Sequence, residues 1–262
     1  MYFCNMISKN LLKYVRSLEN KKGRKELGLF VAEGTKIVGD MMKVMGPFRI
    51  FATEEWWKEN DLAPCEEDKV LSEEDLRRLS FLQHPQQVMA FFLLPVNENP
   101  FLADQKDITP LTNELFLALD DVQDPGNLGT IIRIADWFGI STIFCSLNTA
   151  DAYNPKVVQA TMGSIARVKV IYTDLVELFS HLPQDFPVYG TFLNGTNIYQ
   201  EQLSHNGIIV MGNEGKGISP EVAAHINRRL LIPHYPADKA TADSLNVAIA
   251  TAITCAEFRR RS

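Results

Sequence analysis

Leu115–Gly139, LFLALDDVQDPGNLGTIIRIADWFG, changes its periodicity halfway along, and that change decides the fold class. Leu115 to Leu119 is a continuous apolar run of buried-strand length, and Asp124, Pro125, Gly126 and Asn127 favour a tight reversal after it. Ile131, Ile134, Ala135 and Phe138 then recur at helical spacing, so the strand is expected to turn straight into an amphipathic helix. Asn127 and Arg133 lie off the apolar stripe, near the open end of the strand. In open α/β sheets, ligands bind at such ends.

Outward from this junction the same alternation repeats. Strand-like runs at Ile143–Ser146, Val168–Tyr172, Val188–Phe192, Ile208–Met211 and Arg229–Ile232 are separated by helical patterns at Pro155–Met162, Asp174–Leu182, Glu221–Ile226 and Ser244–Arg260. That is the pattern of an α/β fold, a parallel sheet with helices on both faces. Upstream, a smaller α/β unit is expected, with helices near Asn10–Leu18, Thr35–Met45 and Glu73–Leu79 and strands at Leu29–Ala32, Arg49–Ala52 and Val88–Leu94. Ser72 stands three positions before Asp75 and reads as the cap of the third helix. The polar, proline-punctuated stretch from Pro95 to Thr112 reads as a linker, giving an N-terminal domain 1–98, a linker 99–112 and a C-terminal domain 113–262.

A chain of 262 residues can bury a sizeable core, and its apolar and charged fractions are ordinary for a globular protein. No apolar run is long enough to span a bilayer, and MYFCNMISKN lacks the core of a secretory signal, so a cytoplasmic protein is expected. Cys4, Cys65, Cys145 and Cys255 are scattered without paired spacing, which points to reduced thiols and no metal site. The net charge of −6 argues against holding nucleic acid by bulk charge. Lys9, Lys13, Arg16, Lys21, Lys22, Arg24 and Lys25 nevertheless crowd the first segment and form a candidate RNA-binding face, for which a solvated helix surface is the plainer explanation.

Two further segments have the character of the first. Ile208–Ser219, IIVMGNEGKGIS, runs an apolar strand into glycines that alternate with Asn213, Glu214 and Lys216, and glycine lets a backbone approach a ligand closely. It has neither the GxxxxGK[ST] nor the GxGxxG phosphate-binding spacing, which argues against an unrelated nucleotide-dependent enzyme. Leu230–Arg261 ends a strand at Pro233 and resumes as a helix for which Ser244 reads as the cap. Arg259, Arg260 and Arg261 complement the negative end of its dipole.

Taken in series, DDVQDPGNLGTIIRIADWFG, VMGNEGKGIS and IPHYPADKATADSLNVAIATAI resemble the three motifs of the SpoU (TrmH-like) RNA ribose 2′-O-methyltransferases of the SPOUT superfamily. NPKVVQATMGSIARV resembles the family's intervening helix, and the N-terminal segment from Ser8 to Val38 resembles the ribosomal-protein-like RNA-binding domain that many members carry. The resemblance implies a C-terminal deep trefoil knot, a homodimer, and S-adenosylmethionine held largely by backbone groups. By position those groups belong to Thr191, Phe192, Leu193, Asn194 and Gly195, to Met211, Gly212 and Gly217, and to Ile232, Ser244 and Leu245.

It also implies methyl transfer to a ribose 2′-hydroxyl in structured RNA, ribosomal in preference to transfer RNA. A catalytically silent RNA-binding paralogue is the alternative from another class. Such a hydroxyl is a poor nucleophile, so the site must orient it and favour its developing negative charge. Arg133 is the expected anchor and stabiliser, since a guanidinium almost never gives up its proton. Asn127 is expected to touch substrate or hold Arg133, Glu214 to pair with Arg133, and Ser244 and Asn246 to supply hydroxyl and amide contacts. Members often carry arginine near Gln159, so a phosphate contact is expected to be missing there.

Overall fold

In a computed structural model, the C-terminal sheet has its strands in the order Arg228–Leu231, Val188–Asn197, Gly207–Met211, Leu115–Leu119, Thr142–Cys145 and Lys169–Tyr172, and every neighbouring pair in it is parallel. The structure describes residues 7–95, 114–236, 242 and 244–260. The expected linker therefore lies outside the described residues. The chain divides into two compact units, one containing the N-terminal residues up to 96 together with 151–166, the other containing 97–150 and 167–262.

The second unit begins with β5, Leu115–Leu119, every residue of which is buried. Its neighbours are β6, Thr142–Cys145, and β9, Gly207–Met211, both also buried throughout. A strand covered on both faces has no need to alternate, which is why these segments read as unbroken apolar runs. The sheet is completed by β7, Lys169–Tyr172, β8, Val188–Asn197, and β10, Arg228–Leu231. Helices of this unit are α6, Pro125–Trp137, α8, Leu175–Ser180, α9, Pro220–Ala223, and α10, Val247–Arg260. Phe116, Phe144, Ile171, Phe179 and Val210 share one core cluster, which joins both flanks of β5 to α8. At about 1.5–3 kcal/mol for each fully buried large apolar side chain, such a cluster is a major stabiliser of the site's scaffold.

The first unit is built on a four-stranded sheet whose strands lie in the order Leu29–Glu33, Val88–Leu93, Arg49–Ala52 and Lys69–Val70. Its strands are β1, Leu29–Glu33, β2, Arg49–Ala52, β3, Lys69–Val70, and β4, Val88–Leu93. Its N-terminal helices are α1, Lys9–Ser17, and α2, Lys21–Leu27. The helices that follow are α3, Thr35–Met42, α4, Glu54–Glu59, and α5, Glu73–Leu79, and Ser72 caps α5 by accepting from the Asp75 amide at 3.1 Å. The segment 151–166 contributes α7, Pro155–Thr161, which packs against β1. Gln159 lies on this helix.

The basic N-terminal residues divide by environment. Lys9, Lys13, Lys21, Lys22 and Lys25 are exposed, Lys22 within 3.8 Å of Glu26. Arg16 lies over the Phe81 ring and donates to the Arg78 carbonyl at 3.0 Å. Arg24 differs from the expectation of a surface contact: it is 2% exposed, donates to the carbonyls of Leu18 and Glu19, and pairs with Asp151 at 2.7 Å. Its guanidinium ties α2 to the 151–166 segment.

Candidate active site

The turn after β5 is the first turn of a helix. Asp124 takes extended backbone angles and accepts from the Asn127 amide at 2.8 Å, and Pro125 occupies the first helical position. Proline lacks only a donor that would be unpaired there, so DPGN starts α6 rather than reversing before it. Arg133 then falls on the exposed side of α6, while Leu128, Ile131, Ile132 and Ala135 are buried.

The expected pairing of Glu214 with Arg133 is replaced by another contact. Glu214 Oε1 accepts from Asn127 Nδ2 at 2.8 Å, and Asn127 Oδ1 accepts from Asn246 Nδ2 at 2.9 Å. Three motifs separated by much of the chain therefore meet in one run of hydrogen bonds. A carboxylate can only accept, so it fixes which end of the Asn127 amide faces it. Arg133 makes no hydrogen bond or ion pair with any described residue, which leaves its fork of donors facing outward.

Asn246 has a second duty. Its Oδ1 accepts from the amides of Ala248 at 3.0 Å and Ile249 at 3.2 Å, so Asn246 caps α10 in place of Ser244. The helix begins at Val247, and an asparagine immediately before it satisfies the orphan amides that a serine two residues further away does not reach. Ser244 and Leu245 precede the cap, both exposed.

The glycine loop after β9 is closed on itself. Asn213 and Gly217 exchange backbone hydrogen bonds at 2.9 Å each way, Asn213 Oδ1 accepts from the amides of Gly215 and Lys216, and Asn213 Nδ2 donates to the Asp121 carbonyl. Asp120, 6% exposed, accepts from the Ser219 amide at 2.7 Å. Gly212 admits no side chain, because a Cβ there would lie 2.2 Å from the Gly217 carbonyl carbon. Gly217 has a φ of 71°, a left-handed conformation that glycine adopts without steric cost.

Strand β8 supplies the other loop. Pairing with β10 passes from Gly190 opposite Arg229 directly to Thr196 opposite Leu230, so Thr191 to Gly195 stand outside the ladder between consecutive β10 residues. The pinch is tight: a Cβ on Gly195 would lie 2.4 Å from the Leu230 carbonyl carbon. Thr191 Oγ1 approaches Met211 Sδ at 3.9 Å, which brings this loop to the end of β9. Ile232, half-buried, follows β10 directly. Thus the sequence-predicted positions on β8, β9 and β10 converge, while Ser244 and Leu245 lie just before Asn246, which bonds Asn127.

Sequence reasoning missed Asn213 and Asp120 as organisers and Arg229 as a neighbour of the β8 loop. The asparagine second in GNEGKG was the available signal, since its short side chain commonly bonds backbone two or three residues on. Burial pushes the Cys145 thiol far up and the Cys255 thiol up to about 12, which disfavours a thiolate at either position. Among the described residues no group of three His, Cys, Asp or Glu side chains is placed to hold a metal.

The profile of the SpoU rRNA Methylase family matches residues 114–256, and that of the MRM3-like substrate binding domain matches residues 9–90. The 23S rRNA (guanosine(2553)-2′-O)-methyltransferase RlmP of Bacillus subtilis is 32% identical over 93% of this chain and 94% of its own length. Among solved structures, a TrmH-family protein from Porphyromonas gingivalis superposes with a TM-score of 0.85 at 42% identity, covering 98% of this chain and all of that one. An AdoMet-bound rRNA methyltransferase from Sinorhizobium meliloti superposes with a TM-score of 0.80 at 30% identity, covering 97% and 95%. With its three motifs joined in one site and such relatives matching it nearly end to end, the chain belongs to the SpoU rRNA methylase family.

Proposed function

We propose that the protein is an S-adenosylmethionine-dependent RNA methyltransferase acting on a ribose 2′-hydroxyl of ribosomal RNA. The observation that carries this reading is the run Asn246–Asn127–Glu214, which unites the three motifs beneath a helix whose exposed arginine has no partner among the described residues. The RNA class follows from relatives such as RlmP and from the match of residues 9–90 to a substrate-binding domain.

The β8 and β9 loops suit a cofactor gripped by main chain. Thr191 to Gly195 lie outside the sheet ladder, so their amides and carbonyls are not committed to β10, and Gly212 and Gly195 bring backbones closer than any side chain permits. Bound there, S-adenosylmethionine supplies an electrophilic methyl group. Arg133 anchors RNA phosphate or hydroxyl oxygen and favours the negative charge that grows on the 2′-oxygen as its proton passes to solvent water. Asn127, locked by Glu214 and Asn246, presents a fixed amide edge to substrate. Preorganised donors of this kind need no reorientation during reaction.

The return of β10 past the β8 loop, with Gly195 pressed on Leu230, supports the reading of a deep trefoil knot in this region. A homodimer is proposed on the packed pair α6 and α10, where Trp137 is 84% and Ile249 53% exposed. Large apolar side chains left outside on adjoining helices suit self-association. No helix among the described residues is long and apolar enough to cross a membrane.

The ribose assignment is tested on RNA that the protein methylates. Resynthesised with 2′-deoxyribose at the modified nucleotide, it is expected to accept no methyl group. Methylation of that RNA at the same nucleotide would move the chemistry to the base.

A further inference from the structure

We propose that Arg229 is a positioning residue that sets the shape of the Thr191–Gly195 loop and thereby the affinity for S-adenosylmethionine. The inference rests on reading that loop as part of the cofactor site.

Arg229 occupies the last paired position before β8 leaves the ladder. Its guanidinium carbon lies 3.5 Å from the centroid of the Phe192 ring, and its Nη2 donates to Asn194 Oδ1 at 3.0 Å. The ring also abuts Gly190, where a Cβ would fall 2.8 Å from Phe192 Cε2. One ring is thus held between a bare backbone and a cation. The loop's tip residue Leu193 is 79% exposed, so it brings little burial of its own to fix the loop. A segment freed from its sheet ladder has conformational freedom that a binding site must suppress. Arg229 suppresses it at two consecutive points, by cation–π attraction at Phe192 and by a charge-assisted hydrogen bond at Asn194.

Lysine keeps the charge but not the planar fork, so the two contacts can be separated. The experiment measures S-adenosylmethionine binding by calorimetry, and steady-state methyl transfer, for the full-length wild type and for Arg229→Ala, Arg229→Lys, Phe192→Ala and the Arg229→Ala/Phe192→Ala pair. Arg229→Ala is expected to weaken cofactor binding about tenfold, the scale of one stacked cation with its hydrogen bond, while kcat at saturating cofactor stays within about twofold. Arg229→Lys recovers part of the affinity, and the double variant is weaker than Phe192→Ala by less than the single Arg229→Ala effect, the coupling expected of side chains in contact. Arg229→Ala binding the cofactor as tightly as a competent wild type overturns the inference alone. A loss confined to kcat, or strict additivity of the pair, also overturns it. Wild-type protein that binds no S-adenosylmethionine overturns the methyltransferase reading and this inference with it.

Discussion

Arg133 carries its charge on the outer face of α6, where no described residue neutralises it, while its expected partner Glu214 is committed to Asn127. The separation has a consequence for mechanism. If Arg133 serves RNA and the later loops serve the cofactor, Arg133→Ala lowers methyl transfer by about a hundredfold or more, as loss of one preorganised donor does, and leaves cofactor affinity within about twofold. Calorimetry beside single-turnover transfer checks both halves. Loss of cofactor binding in the variant would remove Arg133 from the RNA side. Arg133 and Asn127 were legible as residues off an apolar stripe; their partners were not. The link from Asn127 to Glu214 spans residues far apart in sequence, and only the register of β5 beside β9 brings them together.

Elements were legible where burial imposes a pattern. Buried strands such as β5 and β9 stand out as apolar runs because both faces are covered. The helices α2 and α4 were missed because KKGRKEL and EEWWKE show charge before any stripe, and β3, two residues long, has no pattern to read. The α10 cap fell two residues beyond Ser244 because capping depends on where the backbone enters the helix, and SLN offers two suitable residues. At this scale Glu33, at the end of β1, gives a pH-dependent test. It is 5% exposed, accepts from Ser80 Oγ and from the Phe81 amide at 2.8 Å, and its burial raises its pKa above the ordinary carboxylate value despite those bonds. Above pH 4.5 the unfolded chain releases this proton first, so the folded protein binds more protons and stability falls as pH rises through the raised folded pKa. Glu33→Gln lacks that loss. Its melting temperature relative to wild type is expected to climb from pH 4.5 towards neutrality and then level off, and a constant difference would show that Glu33 does not titrate in this window.

For the molecule as a whole, a net charge of −6 and an RNA substrate are compatible only if attraction is local. Lys9, Lys13 and Lys25 remain exposed, whereas Arg24 is spent on Asp151 inside the fold. Replacing those three lysines by alanine is therefore expected to weaken RNA binding and to reduce the slope of log affinity against log salt by about two, which filter binding across a salt series measures. An unchanged slope would place the RNA contacts elsewhere. The order of motifs revealed the family because chemistry depends on all three together, and the identity of the RNA stayed illegible because RNA is read by shape and by assembled surfaces. The most direct test of the central claim incubates full-length protein with labelled S-adenosylmethionine and total RNA from a strain lacking it, then maps the labelled nucleotides. The account predicts label on ribose 2′-oxygens of ribosomal RNA. Label on a base, or no label in any RNA while the cofactor binds, would contradict it.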